Sequence, residues 1–146
     1  MEPFNLNEPI LLGPGKLTAS VRFWRWLQQF GGAPQWQTPT LSPNVAYYGA
    51  PYSPPGYYID LSGRVRLRGL VTGTGLTVVS TIFTLPAGFR PVNQHLLFAV
   101  GYTGSAYGIW RVDVYENGSV NIIAAVSGSG NPTGWLSLDS ISFSTY

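Results

Sequence analysis

The sequence of 146 residues contains no cysteine, a single histidine and a single lysine. Without cysteine there can be no disulfide, no thiolate metal ligand and no cysteine nucleophile. His95 alone does not supply the ligands of a typical zinc site, and no Ser-His-Asp order can be identified. We therefore predict neither a metal site nor a cofactor, and we expect His95 to be structural.

Charged residues are also scarce, at 10% of the chain against about 25% in an average domain. Aromatic residues, by contrast, reach 14%. Because tyrosine, tryptophan and arginine are enriched at protein interfaces, we expect a partner to cover much of the surface. The net charge of +2 is small and the chain has no run of lysine or arginine, so nucleic acid is not predicted as that partner.

Long apolar runs are missing too, since none approaches the roughly 18 residues of a membrane-spanning helix. The first residues, Met1-Glu2-Pro3, lack the basic and apolar regions of a signal peptide. We expect no membrane partner and synthesis in a cytoplasm. The lack of cysteine, the single methionine and lysine, and the 12 prolines also favour a heat-adapted protein.

Residues 1–34 form an N-terminal arm that glycine and proline interrupt. Within it, Val21, Trp24, Leu27 and Phe30 recur at helical spacing, with glycines following as a stop. At a period of two, Val21, Phe23 and Arg25 face one way, and the other side carries Arg22, Trp24 and Trp26. The stretch 18–30 is therefore predicted as either a short helix or a strand.

The arm carries large apolar side chains that 34 residues cannot bury by themselves. They must dock on the main domain, on a sister subunit or on another protein. The proline-dense passage that follows favours reach to another chain. The candidate partner-contact residues are Phe23, Trp24, Trp26, Phe30 and Trp36.

Residues 35–56 are predicted to be an extended linker rich in proline and aromatic residues. Such a density of proline favours extended or polyproline-like backbone. Because Trp36, Tyr47, Tyr48 and Tyr52 would be unusual in a free tether, we expect this linker to be ordered and to lie against protein.

Residues 57–146 have the pattern of an antiparallel β domain. The first two strands are predicted to meet at a tight turn, Leu61-Ser62-Gly63, and Asn117-Gly118 marks another hairpin. Strands are expected at 64–72, 76–83, 95–102, 108–115, 120–126 and 135–143, with 95–102 buried on both faces. About eight short strands with turns every 8–12 residues predict a sandwich or jelly roll.

Arg64, Arg66 and Arg68 alternate along one predicted strand and therefore share one face. One interpretation is a stripe that binds phosphate or an acidic glycan. The other, which we favour, is a set of solvated or inter-subunit arginines paired with carboxylates, because arginine is the usual choice for interface ion pairs.

The predicted β domain contains four carboxylates, Asp60, Asp113, Glu116 and Asp139. Nothing in their spacing singles out the pair that a glycosidase needs. We therefore predict no catalytic residue and no enzymatic activity.

Seven segments in this order resemble the head domains of phage tail-fibre and receptor-binding proteins. The segments are WQTPTL (36–41), YYID (57–60), GRVRLRG (63–69), IFTLPAGFRP (82–91), RVDV (111–114), NGSV (117–120) and WLSLDSISF (135–143). The resemblance covers roughly residues 35–146. It implies a jelly-roll-like antiparallel β-sandwich that forms a homotrimer.

Such a head with an N-terminal arm and no shaft is most similar to the capsid decoration proteins of thermophilic long-tailed phages. That likeness implies a viral structural protein, made in the host cytoplasm, that binds the major capsid protein on the outer capsid surface of the virion and stabilises the shell. The alternative is a receptor-binding, tail-fibre or baseplate head. Only in that case is host surface glycan the expected partner.

Overall fold

The structure is a computed structural model that describes residues 12–13, 16–17, 34–103, 107–127 and 134–146, with 124–127 described by their backbone. The chain divides into two compact units, Met1–Pro34 and Gln35–Tyr146. In the first unit, Leu12–Gly13 (β1) pairs antiparallel with Lys16–Leu17 (β2). The stretch 18–30, predicted as helix or strand, lies outside the described residues.

The described part of the second unit contains ten strands. They are β3 (Ala46–Tyr47), β4 (Gly56–Ile59), β5 (Arg64–Arg68), β6 (Leu70–Thr72), β7 (Ser80–Thr84), β8 (Leu96–Thr103), β9 (Tyr107–Val114), β10 (Ser119–Ser127), β11 (Trp135–Ser137) and β12 (Ser142–Ser144). Nowhere in the segments that the structure describes is there a helix of the length and apolarity that a membrane crossing requires.

These strands form a sandwich of two antiparallel sheets. The large sheet has the order β3-β6-β11-β8-β9-β10-β7, and the small sheet has the order β12-β5-β4. The β4–β5 hairpin turns at residues 60–63, where the sequence places it. The all-β antiparallel sandwich predicted from the sequence is confirmed, and the homotrimer stays a prediction.

Side chains from both sheets meet in one hydrophobic core. Val65 and Leu67 enter it from the small sheet and Trp110 enters it from the large sheet, each at most 2% exposed. Phe143 of the small sheet approaches Phe98 of the large sheet, with ring centroids 6.3 Å apart. Because each large apolar side chain contributes about 1.5–3 kcal/mol when fully buried, this core holds the two layers together.

Gly69 is the point at which the chain passes from the small sheet to the large sheet. The prediction of one strand over 64–72 is wrong, because β5 pairs in the small sheet and β6 pairs in the large sheet. Gly69 has a φ angle of +99°, a conformation that only glycine adopts without strain. One regular strand cannot pair in both sheets, so the strand has to end at Gly69 and a new one begin after it.

The predicted strand 135–143 divides in the same way, into β11 in the large sheet and β12 in the small one. Its crossing lies beside the crossing at Gly69. The Leu138 N–H donates to the Gly69 carbonyl at 2.9 Å, and Asp139 Oδ1 accepts the Gly69 N–H at 2.8 Å. These two bonds connect the crossings, and they satisfy backbone groups of Gly69 and Leu138 that are not paired within a sheet.

Two further expectations are wrong in detail. The strand expected from residue 76 begins at Ser80, because Leu76 is drawn into the core and Val79 takes a φ angle of +58° in the turn before it. The strand β8 is not buried on both faces, since Leu97 is 57% exposed. One face of β8 belongs to the outer surface of the large sheet, over which the described residues form no second layer.

Residues 35–56 belong to the second unit and are tied to it by backbone contacts. Gln37 pairs with Tyr57, and Leu41 pairs with Phe83. Strand β3 then joins the edge of the large sheet beside β6. These contacts hold residues 35–56 against the sandwich.

Candidate functional site

The outward face of β5 carries the three arginines, and we call it the arginine face. Val65 and Leu67 of the same strand are buried, whereas Arg64 and Arg66 are exposed and Arg68 is half-buried. This is the two-residue period of a strand with one side on the core. The structure therefore places the three guanidinium groups on one surface, as the alternation predicts.

Asp60 holds the turn that leads into this strand. Its Oδ1 accepts hydrogen bonds from the Ser62 N–H at 2.9 Å, the Ser62 hydroxyl at 2.6 Å and the Arg64 N–H at 3.0 Å. Its Oδ2 lies 3.4 Å from Arg66 Nε. These donors, the Ser62 hydroxyl foremost, lower the pKa of Asp60 from 3.8 to about 2. At neutral pH Asp60 is thus ionised and supplies the counter-charge of Arg66.

The three arginines differ in their surroundings. Arg64 reaches across to Ser142, with Nη2 and Nε 3.3 Å and 3.4 Å from the serine hydroxyl oxygen. Arg66 makes the single long contact with Asp60. Arg68 has no carboxylate partner among the described residues. Among the described residues, the predicted pairing of the three arginines with carboxylates is therefore found at Arg66.

Arg68 packs against Trp36 instead. Its guanidinium carbon lies 4.2 Å from the indole centroid, within the range of a cation–π interaction. Tyr58 meets the same indole edge-on, with centroids 4.4 Å apart. The Nε of Arg68 is buried without a described acceptor, close to the backbone of Gly56, where an added Cβ would lie 3.2 Å from it. The guanidinium is therefore packed on the Trp36 ring with its Nε enclosed.

An open hollow of about 270 Å³ lies among these side chains. Its lining consists of Trp36, Tyr58, Arg66, Leu67, Arg68, Asp139, Ile141 and Ser142. A second hollow of about 470 Å³ shares Asp139 and is otherwise lined by Pro51, Tyr52, Ser53, Leu70, Trp135 and Ser137. Both combine aromatic surface with a few polar groups that can fix the orientation of a ligand.

A separate polar cluster lies on the outward face of the large sheet. Asp113 is fully buried there and accepts bonds from Arg111 Nε at 2.7 Å and Arg111 Nη2 at 2.6 Å. His95 Nε2 lies 2.7 Å from Asp113 Oδ2, and its ring stacks on Tyr115 with centroids 4.1 Å apart. Burial raises the pKa of Asp113, but the bonds from Arg111 and His95 outweigh burial and hold it below the ordinary value of 3.8.

This cluster is only half visible in the sequence. The alternation predicts that Arg111 and Asp113 face away from Trp110, and they do. The complete burial of Asp113 was not predicted, because an arginine and an aspartate two residues apart are also common on solvent-exposed strands. The β8–β9 register brings His95 to the pair, and one sequence does not reveal that register.

The same face of β8 and β9 also exposes apolar side chains. Leu97 is 57% exposed, Ile109 is 43% exposed and Tyr107 is 83% exposed. The register, which pairs Gly101 with Ile109 and Leu97 with Asp113, places these three side chains on one surface. We call it the β8–β9 outer face; on it the Arg111–Asp113 pair lies between Leu97 and the exposed Ile109 and Tyr107.

Of the five candidate partner-contact residues, Trp36 is the one that the structure describes. Phe23, Trp24, Trp26 and Phe30 lie outside the described residues. Trp36 is half-buried against its own domain through Arg68 and Tyr58. Among the described residues there is no group of three or more histidine, aspartate or glutamate side chains arranged to hold a metal ion.

Comparison with known proteins adds one likeness at the level of structure. No protein-family model matches the chain, and no curated protein matches it significantly. Among solved structures, the chain is similar to the receptor binding protein (gp15) of Listeria phage PSA, with a TM-score of 0.63 and 19% sequence identity. The alignment covers 84% of this chain and 70% of that one. The chain thus has a fold that is also found in a phage receptor-binding protein.

Proposed function

We propose that the chain is a structural protein of a bacteriophage virion that acts by binding and is not an enzyme. The single observation that carries this proposal is the fold shared with the receptor-binding protein of a phage. The roles of the carboxylates are consistent with it. Asp60 holds a turn, Asp113 holds a buried cluster and Asp139 holds a sheet crossing, so their presence needs no catalytic explanation.

The more specific function that these observations favour is recognition of a glycan on the host surface. The similar solved structure is named as a receptor binding protein. The hollow beside Trp36 and Tyr58 is open to solvent and offers aromatic and guanidinium groups, as a site for a polar ligand with flat apolar faces requires. This is the alternative of the two functions that the sequence predicts.

Capsid decoration is the second candidate function. It is favoured by the separate compact unit Met1–Pro34, which carries most of the aromatic residues predicted to contact a partner. In this case the partner is the major capsid protein and the location is the outer capsid surface. A heat-adapted composition fits a protein that stabilises a shell, since a ligand that binds only the assembled shell stabilises it by mass action.

Both functions include a homotrimer. The β8–β9 outer face, with Leu97, Ile109 and Tyr107, is the described surface that we expect to contact a second copy of the chain, because its exposed apolar side chains gain from burial. Trimeric binding would also strengthen attachment to any repeated ligand through effective concentration.

A mixing experiment separates the candidates. The native mass of the full chain is measured first alone, and we expect three times the 15.9 kDa of one chain. The protein is then sedimented with cell walls of the bacterium that the encoding phage infects and, separately, with empty capsids of that phage. Saturable binding to walls supports host recognition, and binding to capsids alone would replace it with decoration. Binding to neither would contradict the proposal that the chain is a virion protein that acts by binding.

A further inference from the structure

One end of the arginine face carries a guanidinium group that has no ion pair among the described residues. Asp60 is the counter-charge of Arg66, and Arg64 is hydrogen-bonded to Ser142. Within the part of the chain that the structure describes, Arg68 has neither a carboxylate partner nor a hydrogen-bond acceptor at its buried Nε. An arginine that is half-buried usually has an acidic partner, since an unpaired cation loses hydration without compensation.

Asp139 lines the same hollow but forms no ion pair with Arg66 or Arg68. Asp139 contributes to the lining, but Oδ1 accepts the Gly69 N–H at 2.8 Å and Oδ2 accepts the Ser137 hydroxyl at 3.1 Å. Its two oxygens are therefore directed toward the sheet crossing. Asp139 keeps its negative charge but bonds to neutral donors, so among the described residues Arg68 lines the hollow without an ion pair.

Arg68 is also positioned in advance of any ligand. Its guanidinium stacks on Trp36 at 4.2 Å, and its Nε is enclosed. A side chain that is already immobilised loses little conformational entropy when it binds. Arg66 lies two residues along the same face, about 7 Å away along the strand. Planar guanidinium groups at this spacing suit an oxyanion, which each can bind through paired N–H donors.

We propose that the hollow at Trp36, Arg66 and Arg68 binds the anionic group of a charged polysaccharide, a phosphodiester or a carboxylate carried on a sugar chain. This inference rests on the proposed function of glycan recognition and names its ligand class. The aromatic rings of Trp36 and Tyr58 line the same hollow, so they provide apolar surface for the sugar next to the charge.

The test compares two charge-removing variants of the full chain. Arg68→Gln removes the guanidinium that lines the hollow, and Arg64→Gln removes one from the same strand and face that does not line it. The probes are poly(glycerol phosphate) bearing sugar, polyglucuronate, neutral dextran and a single-stranded DNA oligonucleotide, each titrated by calorimetry at low and at physiological salt. Thermal melting of each variant verifies that it is folded.

We expect wild type to bind at least one of the two anionic polysaccharides, more weakly at higher salt because exposed charge pairs are screened. Arg68→Gln should lose about tenfold or more in affinity, and Arg64→Gln less than about threefold. Arg68→Lys should recover only part of the loss, since lysine keeps the charge but not the planar donors. The polymer that binds distinguishes phosphate from carboxylate.

Three results would overturn the inference. Equal losses in the Arg64 and Arg68 variants would show that only overall charge matters. Equal affinity for the oligonucleotide would remove the sugar from the ligand class. Binding of dextran, or of host cell walls, that is unaffected by Arg68→Gln would refute the anionic site while leaving the proposed glycan-recognition function standing. Failure of that function itself would be seen as no binding to the walls.

Discussion

Replacing Gly69 by alanine should lower the free energy of unfolding by about 4 kcal/mol. Two costs combine at this position. A non-glycine residue is strained at a φ angle of +99°, and an added Cβ would lie 2.6 Å from the backbone of Pro54 and Pro55. Neither neighbour can turn away as a flexible side chain would, so the passage of the chain between the sheets has to distort.

Gly88→Ala is the matched control for this prediction. Gly88 has a similar φ angle of +88°, but an added Cβ meets nothing within 4 Å. Gly88→Ala should therefore lower the free energy of unfolding by the backbone strain alone, about 1–2 kcal/mol. Urea unfolding of both variants measures the difference. Equal destabilisation would show that the contact with the 54–55 backbone is unimportant and that this sheet crossing is more adaptable than the structure indicates.

Asp113→Asn should be the second large change, with a loss of about 2 kcal/mol at neutral pH. The carboxylate is completely buried and accepts bonds from Arg111 and His95. The substitution leaves Arg111 with a buried, neutral neighbour in place of its ion-pair partner. Glu116→Gln, an exposed change in the turn after β9, should stay within about 0.5 kcal/mol.

The pH dependence of stability gives this prediction a second measurement. The pKa of Asp113 is lower in the folded protein than the ordinary 3.8, so its contribution is fully present above that value and is lost as pH falls through the folded pKa. Asp60, with a pKa of about 2, contributes a further loss of stability in acid, and this loss remains in Asp113→Asn. Asp113→Asn should therefore have a shallower decline below pH 4 than wild type. Parallel curves would contradict a charged Asp113 as a source of stability.

Much of the fold follows from local patterns. The alternation of Arg64 to Arg68 with Val65 and Leu67 predicts a strand with one buried face, and Asn117-Gly118 predicts the hairpin that joins β9 to β10. These features depend on side-chain period and turn chemistry, which neighbouring residues determine. For this reason they could be predicted without knowing which strands pair.

The sheet crossings and the polar cluster could not be predicted in the same way. Gly69 interrupts an otherwise regular alternation, and only the positions of both sheets show why the chain must bend there. Asp113 meets His95 through a cross-strand register. The stacking of Arg68 on Trp36 joins residues 32 positions apart. These are non-local contacts, and a single sequence gives no measure of them.

Immunogold electron microscopy of the phage to which this chain is proposed to belong, with antibody raised against the full chain, tests most directly whether the chain is the proposed host-recognition head. We expect gold at the end of the tail that is distal to the capsid, where contact with the host surface is made. Gold spread over the capsid shell would contradict it and would identify the protein as a decoration protein. Intact virions without any gold would contradict a place in the particle altogether.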